Sequence, residues 1–272
     1  MSAPPPSETC LVDAHVHLYP GVDLGAMLTA AARHMAQAAH GAPRRSPGIL
    51  ILTETAGLDL FAGLIGPTDG WTIAPTAEPV SVLAMPRDEV GGGSPLALVS
   101  GRQIVTAENI EVHALGTREL FADGVPAAAV LTAVQNAGAL AVLPWGVGKW
   151  SGVRAELVRG LISRQAEWPG LMLADSGVRP AFLSRPVLLA EAEAGGLTVL
   201  AGSDPLPLAA ESDKPGRYGF VASCCFDPER PFAALAAWLR GNTGSPETYG
   251  TLEGALAFLC RQVAMQVHKR LR

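Results

Sequence analysis

Asp13, His15 and His17 alternate in the run LVDAHVHLYP, residues 11–20, which ends at Tyr19 and Pro20. In an extended chain, residues i, i+2 and i+4 point to one face, so this carboxylate and both imidazoles project together. Two imidazoles side by side can grip one divalent ion, with Asp13 either a ligand or a deeper orienting group. A hydrogen-bonded pair of core histidines is the plainer alternative for the same spacing.

Other apolar runs end in polar residues too. GILIL meets Thr53, Glu54 and Thr55; LAVLPWG meets Gly148, Lys149 and Trp150; LMLA ends in Asp175 with Arg179 just beyond; LTVLAG ends in Ser203 and Asp204. An acid after a strand is often the N-cap of the next helix. Five such ends together would be a costly set of buried polar groups unless they meet around something. Lys149, Arg179 and Arg217 follow strand ends or loops on the same rim, where guanidinium forks and an ammonium suit a phosphate or carboxylate. The alternative is that they pair with Asp175, Glu211 or Asp213. His113, in IEVHALG, is either a ligand or a core histidine. His34, His40 and His268 lie on helical or loop stretches and receive no role.

Strands and helices must alternate to bring these ends together. Strand-like runs at 11–18, 48–55, 80–85, 140–146, 171–175 and 197–204 are separated by helical patterns near 24–39, 58–65, 124–137, 152–166 and 185–194. The first helix carries Leu24, Met27, Leu28, Ala31 and Met35 on one stripe. Residues 97–117 read as a strand, a loop at TAEN and a paired return. Helices at 229–241 and 251–271 close the chain, the last with Leu252, Leu256, Leu259 and Val263 on one face and Lys269, Arg270 and Arg272 at its end. Strands separated by helices of this length imply parallel pairing, and a closed or nearly closed β/α barrel with its mouth at the end nearest Pro20.

The 272 residues suffice for one large domain without disulfide support. A net charge of −5 offers no basic footprint for nucleic acid and favours a small diffusible substrate. Cys10, Cys224, Cys225 and Cys260 lack zinc-knuckle spacing and read as reduced thiols of a cytoplasmic protein. MSAPPPSET reads as a flexible lead-in over 1–9 rather than a signal peptide, and no run reaches the length of a membrane span. Oligomeric state is not legible.

In order, these pieces resemble the polymerase and histidinol phosphatase (PHP) superfamily of metal-dependent phosphoesterases. DAHVHL is similar to its opening D-x-H-x-H motif, LILTETAG to its T-D-H motif, SGRQIVTAENIEVHALG to its G-x-E-I…E-V-H-x-L-G segment and AGSDPLP to its closing G-S-D-x-H. The resemblance spans about residues 11–206. It implies an α/β fold, a distorted (β/α)7-type barrel with C-terminal helices, forming a single domain over 1–272. His15, His17, His113 and Asp204 carry over as ligands. Glu54 stands for an aspartate, Thr55 for a histidine, Gln103 for the bridging glutamate and Leu206 for the final histidine, so one or two ions (Zn, Mn or Fe) are expected instead of three.

The implied function is a metal-dependent hydrolase of a small anionic ester, a phosphoesterase. His15, His17, Asp204, Glu54 and His113 would be the metal set, with Asp204, Glu54 and His113 in catalysis. Lys149, Arg179, Arg217 and Trp150 would bind substrate, with Asp13 and Asp175 in support. A more distant resemblance to the amidohydrolase superfamily, whose barrels also open with HxH and close with an aspartate, leaves an amide or lactone hydrolase open; a carboxylated Lys149 would then be a ligand. A degenerate barrel that binds a ligand without catalysis is the third reading, supported by the missing bridge.

Overall fold

The computed structural model describes residues 9–38, 47–87, 94–224 and 226–270. The lead-in over 1–8, His40, the glycines at 91–93, Cys225 and Arg272 lie outside the described residues, as do the side chains of His268, Lys269 and Arg270. The chain begins with β1 (Cys10–Val16), α1 (Leu24–Ala38), β2 (Gly48–Leu52), β3 (Gly66–Thr68), β4 (Trp71–Pro75), β5 (Ser81–Pro86) and β6 (Leu96–Val99). It continues with β7 (Gly101–Val105), β8 (Glu111–Leu115), α2 (Ala127–Asn136), β9 (Leu140–Pro144), α3 (Val153–Ser163), β10 (Met172–Ser176), α4 (Val187–Ala194) and β11 (Val199–Gly202). Last come β12 (Tyr218–Ala222), α5 (Pro231–Gly241), β13 (Thr248–Gly250) and α6 (Ala255–Arg270).

The strands form two sheets instead of the expected closed barrel. One has the order β13-β12-β1-β2-β6-β5-β4-β3, the other β11-β10-β9-β8-β7. Parallel pairing is confined to β1-β2-β6 and to β9-β10-β11; every other ladder is antiparallel. The alternation of strands and helices holds for part of the chain, but three excursions break it. One is the meander β3-β4-β5-β6, turned at Asp69-Gly70 with Gly70 at φ +73°. Another is the β7-β8 pair, the strand and paired return expected around TAEN. The last is β12, which runs back along β1.

Parallel strands with both faces covered read as unbroken apolar runs. Accordingly β1, β2, β6, β9, β10 and β11 are buried at every position. The inner faces of the two sheets share a core with Phe232, Leu235 and Leu239 of α5. Outside the first sheet, α1 buries Met27, Leu28, Ala31 and Met35, the stripe expected from its periodicity. A fully buried Leu or Met there contributes about 1.5–3 kcal/mol. Outside the second sheet, α2, α3 and α4 cover another apolar layer. α5 opens with Pro231 in its first turn, where a missing N–H is harmless. Its next two N–H groups donate to the Glu78 carboxylate, at 2.7 and 3.1 Å. On α6, Leu256, Leu259 and Val263 are exposed, so that apolar face is not buried by the described residues. No helix among the described residues is long and apolar enough to cross a membrane.

β11 lies against β1 where the sheets meet, with the Asp204 N–H donating to the His15 carbonyl at 2.8 Å. The approach requires glycine at 202, since a Cβ there would stand 2.5 Å from the His15 nitrogen and Cβ. Backbone cannot yield as a flexible side chain can. Gly202→Ala is therefore expected to destabilise the fold by about 1–3 kcal/mol, read from the denaturation midpoint; an unchanged midpoint would show that the seam opens freely.

Candidate metal centre

β1 does not hold a regular register up to its end. Asp13 pairs with Leu50 and Val16 with Leu52, so β1 spends one more residue than β2 over this stretch. Such irregularities re-aim side chains at strand ends. Here His15 and His17 bring their Nε2 atoms to 3.0 Å of each other. Asp204, just past β11, places Oδ1 3.4 Å from the first and 3.6 Å from the second. These three are the described residues whose ligand atoms come together in this way.

That triangle has the size of a coordination face. A tetrahedral ion with bonds of about 2.0–2.1 Å sets its ligand atoms about 3.3–3.4 Å apart. The tautomer of His17 suits this too: Nδ1 donates to the Thr53 carbonyl at 2.8 Å, leaving the Nε2 lone pair to face the centre. Burial pushes the His15 imidazole down to about 3; Asp204 opposes that fall, while His17 and Lys149 add to it. His15 is thus neutral near pH 7 and able to ligate.

Asp204 is held in place from several sides. Its backbone sits at φ +54°, a left-handed conformation uncommon outside glycine and found at functional sites. The Ser176 hydroxyl donates to Oδ2 at 2.8 Å, leaving Oδ1 toward the histidines. Burial alone would raise this carboxyl, but the His15 and His17 imidazoles and the Lys149 ammonium together outweigh it and hold it below the ordinary range.

Asp13 lies deeper and is not part of the triangle. Its carboxylate accepts from the N–H groups of His15 at 3.2 Å, Ser203 at 2.8 Å and Gly216 at 2.8 Å, and from the Ser203 hydroxyl at 2.5 Å. Burial pushes the carboxyl up to about 6 against the pull of these donors.

The remaining candidates are engaged elsewhere. Glu54, expected as a ligand, is outside the triangle; Arg102 binds its Oε2 at 3.1 Å, and its Oε1 accepts from the Leu60 and Phe61 N–H groups at 2.5 and 3.2 Å. A buried guanidinium claims that carboxylate. His113 is also outside it, its ring 4.2 Å from that of His15 and its Nε2 3.2 Å from the Gln103 amide oxygen. Burial holds His113 well below the usual imidazole range, so it is a neutral neighbour behind His15.

The expected anion clamp does not assemble, because each cation faces an acid. Lys149 pairs with Glu111. Arg179 grips Asp175 through Nε at 3.0 Å and Nη2 at 2.7 Å, which also accounts for Asp175. Arg217 lies 3.5 Å from Glu253, which Arg261 also binds. Trp150 packs on the layer beneath the second sheet's helices and lines a separate cleft with Trp145 and Leu183. Sequence reasoning missed Ser176 and the Thr53 carbonyl, which orient ligands. Only Ser176 had a local sign, as the hydroxyl after Asp175 at a strand end.

Two substitutions separate ligands from supports. Ser176→Ala should weaken divalent-ion affinity by about 10–100-fold, measured by competition with a chelating dye. Glu54→Gln removes one of the two carboxylates that Arg102 binds, Asp59 remaining at 3.1 Å, and should lower stability by about 1–3 kcal/mol while leaving ion affinity unchanged; a loss of affinity there would return Glu54 to the ligand set.

No family model matches the chain, and no curated protein matches it. Among solved structures, the crystal structure of PsfC from Pseudomonas syringae PB-5123 is similar in fold, with a TM-score of 0.52 at 15% identity, over 97% of this chain and 99% of that one. At that identity the likeness is one of fold alone.

Proposed function

We propose that the chain is a hydrolase of a small ester, working with one divalent ion held by His15, His17 and Asp204. What supports this is the triangle of two imidazole nitrogens and a carboxylate oxygen at 3.0, 3.4 and 3.6 Å, with a lone pair of His17 aimed inward. An ion there supplies a Lewis acid and an acidified water, with a coordination position left for substrate. The N2O donor set suits Zn, Mn or Fe. One ion is favoured over two because Glu54 is bound to Arg102, and Gln103, uncharged, faces His113.

The phosphoester form of the substrate rests on the motif resemblance to the PHP superfamily. With Lys149, Arg179 and Arg217 each paired to an acid, the ion itself would have to receive the negative oxygen. The net charge of −5 supports a small molecule over nucleic acid. The sparse cysteines, without the density of a secreted disulfide scaffold, support a reducing compartment, the cytoplasm. The paired cations and the missing bridge also favour a second reading, a protein that holds an ion and a ligand without turnover.

The double substitution of His15 and His17 by Asn tests the centre. The variant should stay folded, with a melting temperature within a few degrees of the metal-free parent, bind no divalent ion and hydrolyse neither p-nitrophenyl phosphate nor p-nitrophenyl acetate. Retention of one ion per chain by elemental analysis would overturn the assignment. Wild-type protein that binds one ion but cleaves neither ester would favour the non-catalytic reading.

A further inference from the structure

A cleft of about 270 Å³ opens beside the triangle, with His17 in its wall and Pro205 and Leu206, which follow Asp204, lining it. Drug-sized pockets run from about 300 to 1,000 Å³, so this one takes a small group. Val22, Met27, Leu206 and Leu208 give it an apolar surface. Tyr19 ties its two sides together, its hydroxyl donating to the Pro205 carbonyl at 3.2 Å.

Its charged lining residues are Asp23 and Glu211, both acids, with neither lysine nor arginine among the described lining residues. The Asp23 carboxylate accepts the Ala26 N–H at 2.9 Å at the start of α1. Glu211 is buried and pairs with Arg261 at 2.7 Å. An anionic group entering here would face the Asp23 carboxylate and lose hydration with no lysine or arginine of the described lining to replace it. An uncharged apolar group would shed water from both surfaces.

We propose that this cleft seats the non-reacting part of the substrate, a compact apolar group bearing no negative charge. The inference deepens the hydrolase reading and rests on it for the reaction, though not for the seating of the group. It also divides the ligand: negative charge belongs at the ion, and the apolar portion extends past His17 toward Met27.

The test uses the full chain freed of metal by a chelator, so that no ion draws a carboxylate to the triangle, with ¹³C-methyl methionine, the Met27 signal being assigned from Met27→Leu, and two probes of equal length, hexanamide and hexanoate. Hexanamide should shift the Met27 methyl resonance saturably, and hexanoate should bind at least about tenfold more weakly. Leu206→Trp and Leu208→Trp, made separately to fill the cleft, should each abolish the response, while their uptake of added divalent ion, measured separately, stays at the parent level. Equal or tighter hexanoate binding would overturn the proposal, as would a hexanamide response unchanged in both variants. A hexanamide response in protein that takes up no ion would leave the cleft standing and remove the hydrolase. An ion bound without any hexanamide response would remove the cleft and leave the metal centre.

Discussion

One buried carboxylate ties together three stretches of chain far apart in sequence. Asp13 accepts hydrogen bonds from His15 in its own strand, from Ser203 after β11 and from Gly216 before β12. Such an acid is tolerable inside a protein only with its donors in place, and no other alignment of the strands supplies all of them. A slip of β1 by one residue would turn Asp13 away from Ser203 and reverse the faces of both histidines. The bond network that sets the register therefore also sets the distance between His15, His17 and Asp204.

Charge around the centre is distributed by pairing. Glu54 answers Arg102, Asp175 answers Arg179, Glu111 answers Lys149 and Glu253 answers Arg217. Asp204 differs, since its nearest partners are imidazoles instead of a lysine or arginine. The triangle is left with net negative character, whereas Glu54, Asp175, Glu111 and Glu253 each have a cation. A divalent ion held there, as proposed, would complete that pattern electrostatically.

Local signals read well where the physics is local. The spacing of His15 and His17, the stripe of α1 and the acid closing AGSD carried through to the positions of these residues, whereas Asp13 turns to Ser203 and Gly216. The barrel did not, because strand polarity depends on turns such as Asp69-Gly70, a two-residue hairpin signal outweighed by the apolar runs on either side. β12 went unread for another reason: YGFVA is short and follows a polar loop, and its place beside β1 comes from tertiary pairing. The same holds for the candidate residues. That Glu54 serves Arg102, 48 residues away, is a long-range choice between partners that spacing cannot show.

The seam between the sheets bears on how the molecule comes to be. His15 and His17 belong near the start of the chain, whereas Asp204 arrives only after β11 has been laid beside β10. Contacts this distant in sequence form late, after the loop between them has been closed by other interactions. A metal ion cannot organise the early chain, because the third ligand is not yet at hand. An ion at the proposed centre would then enter after the apolar layers have packed. That order would be the reverse of small zinc-nucleated domains, in which the ion is what makes folding possible.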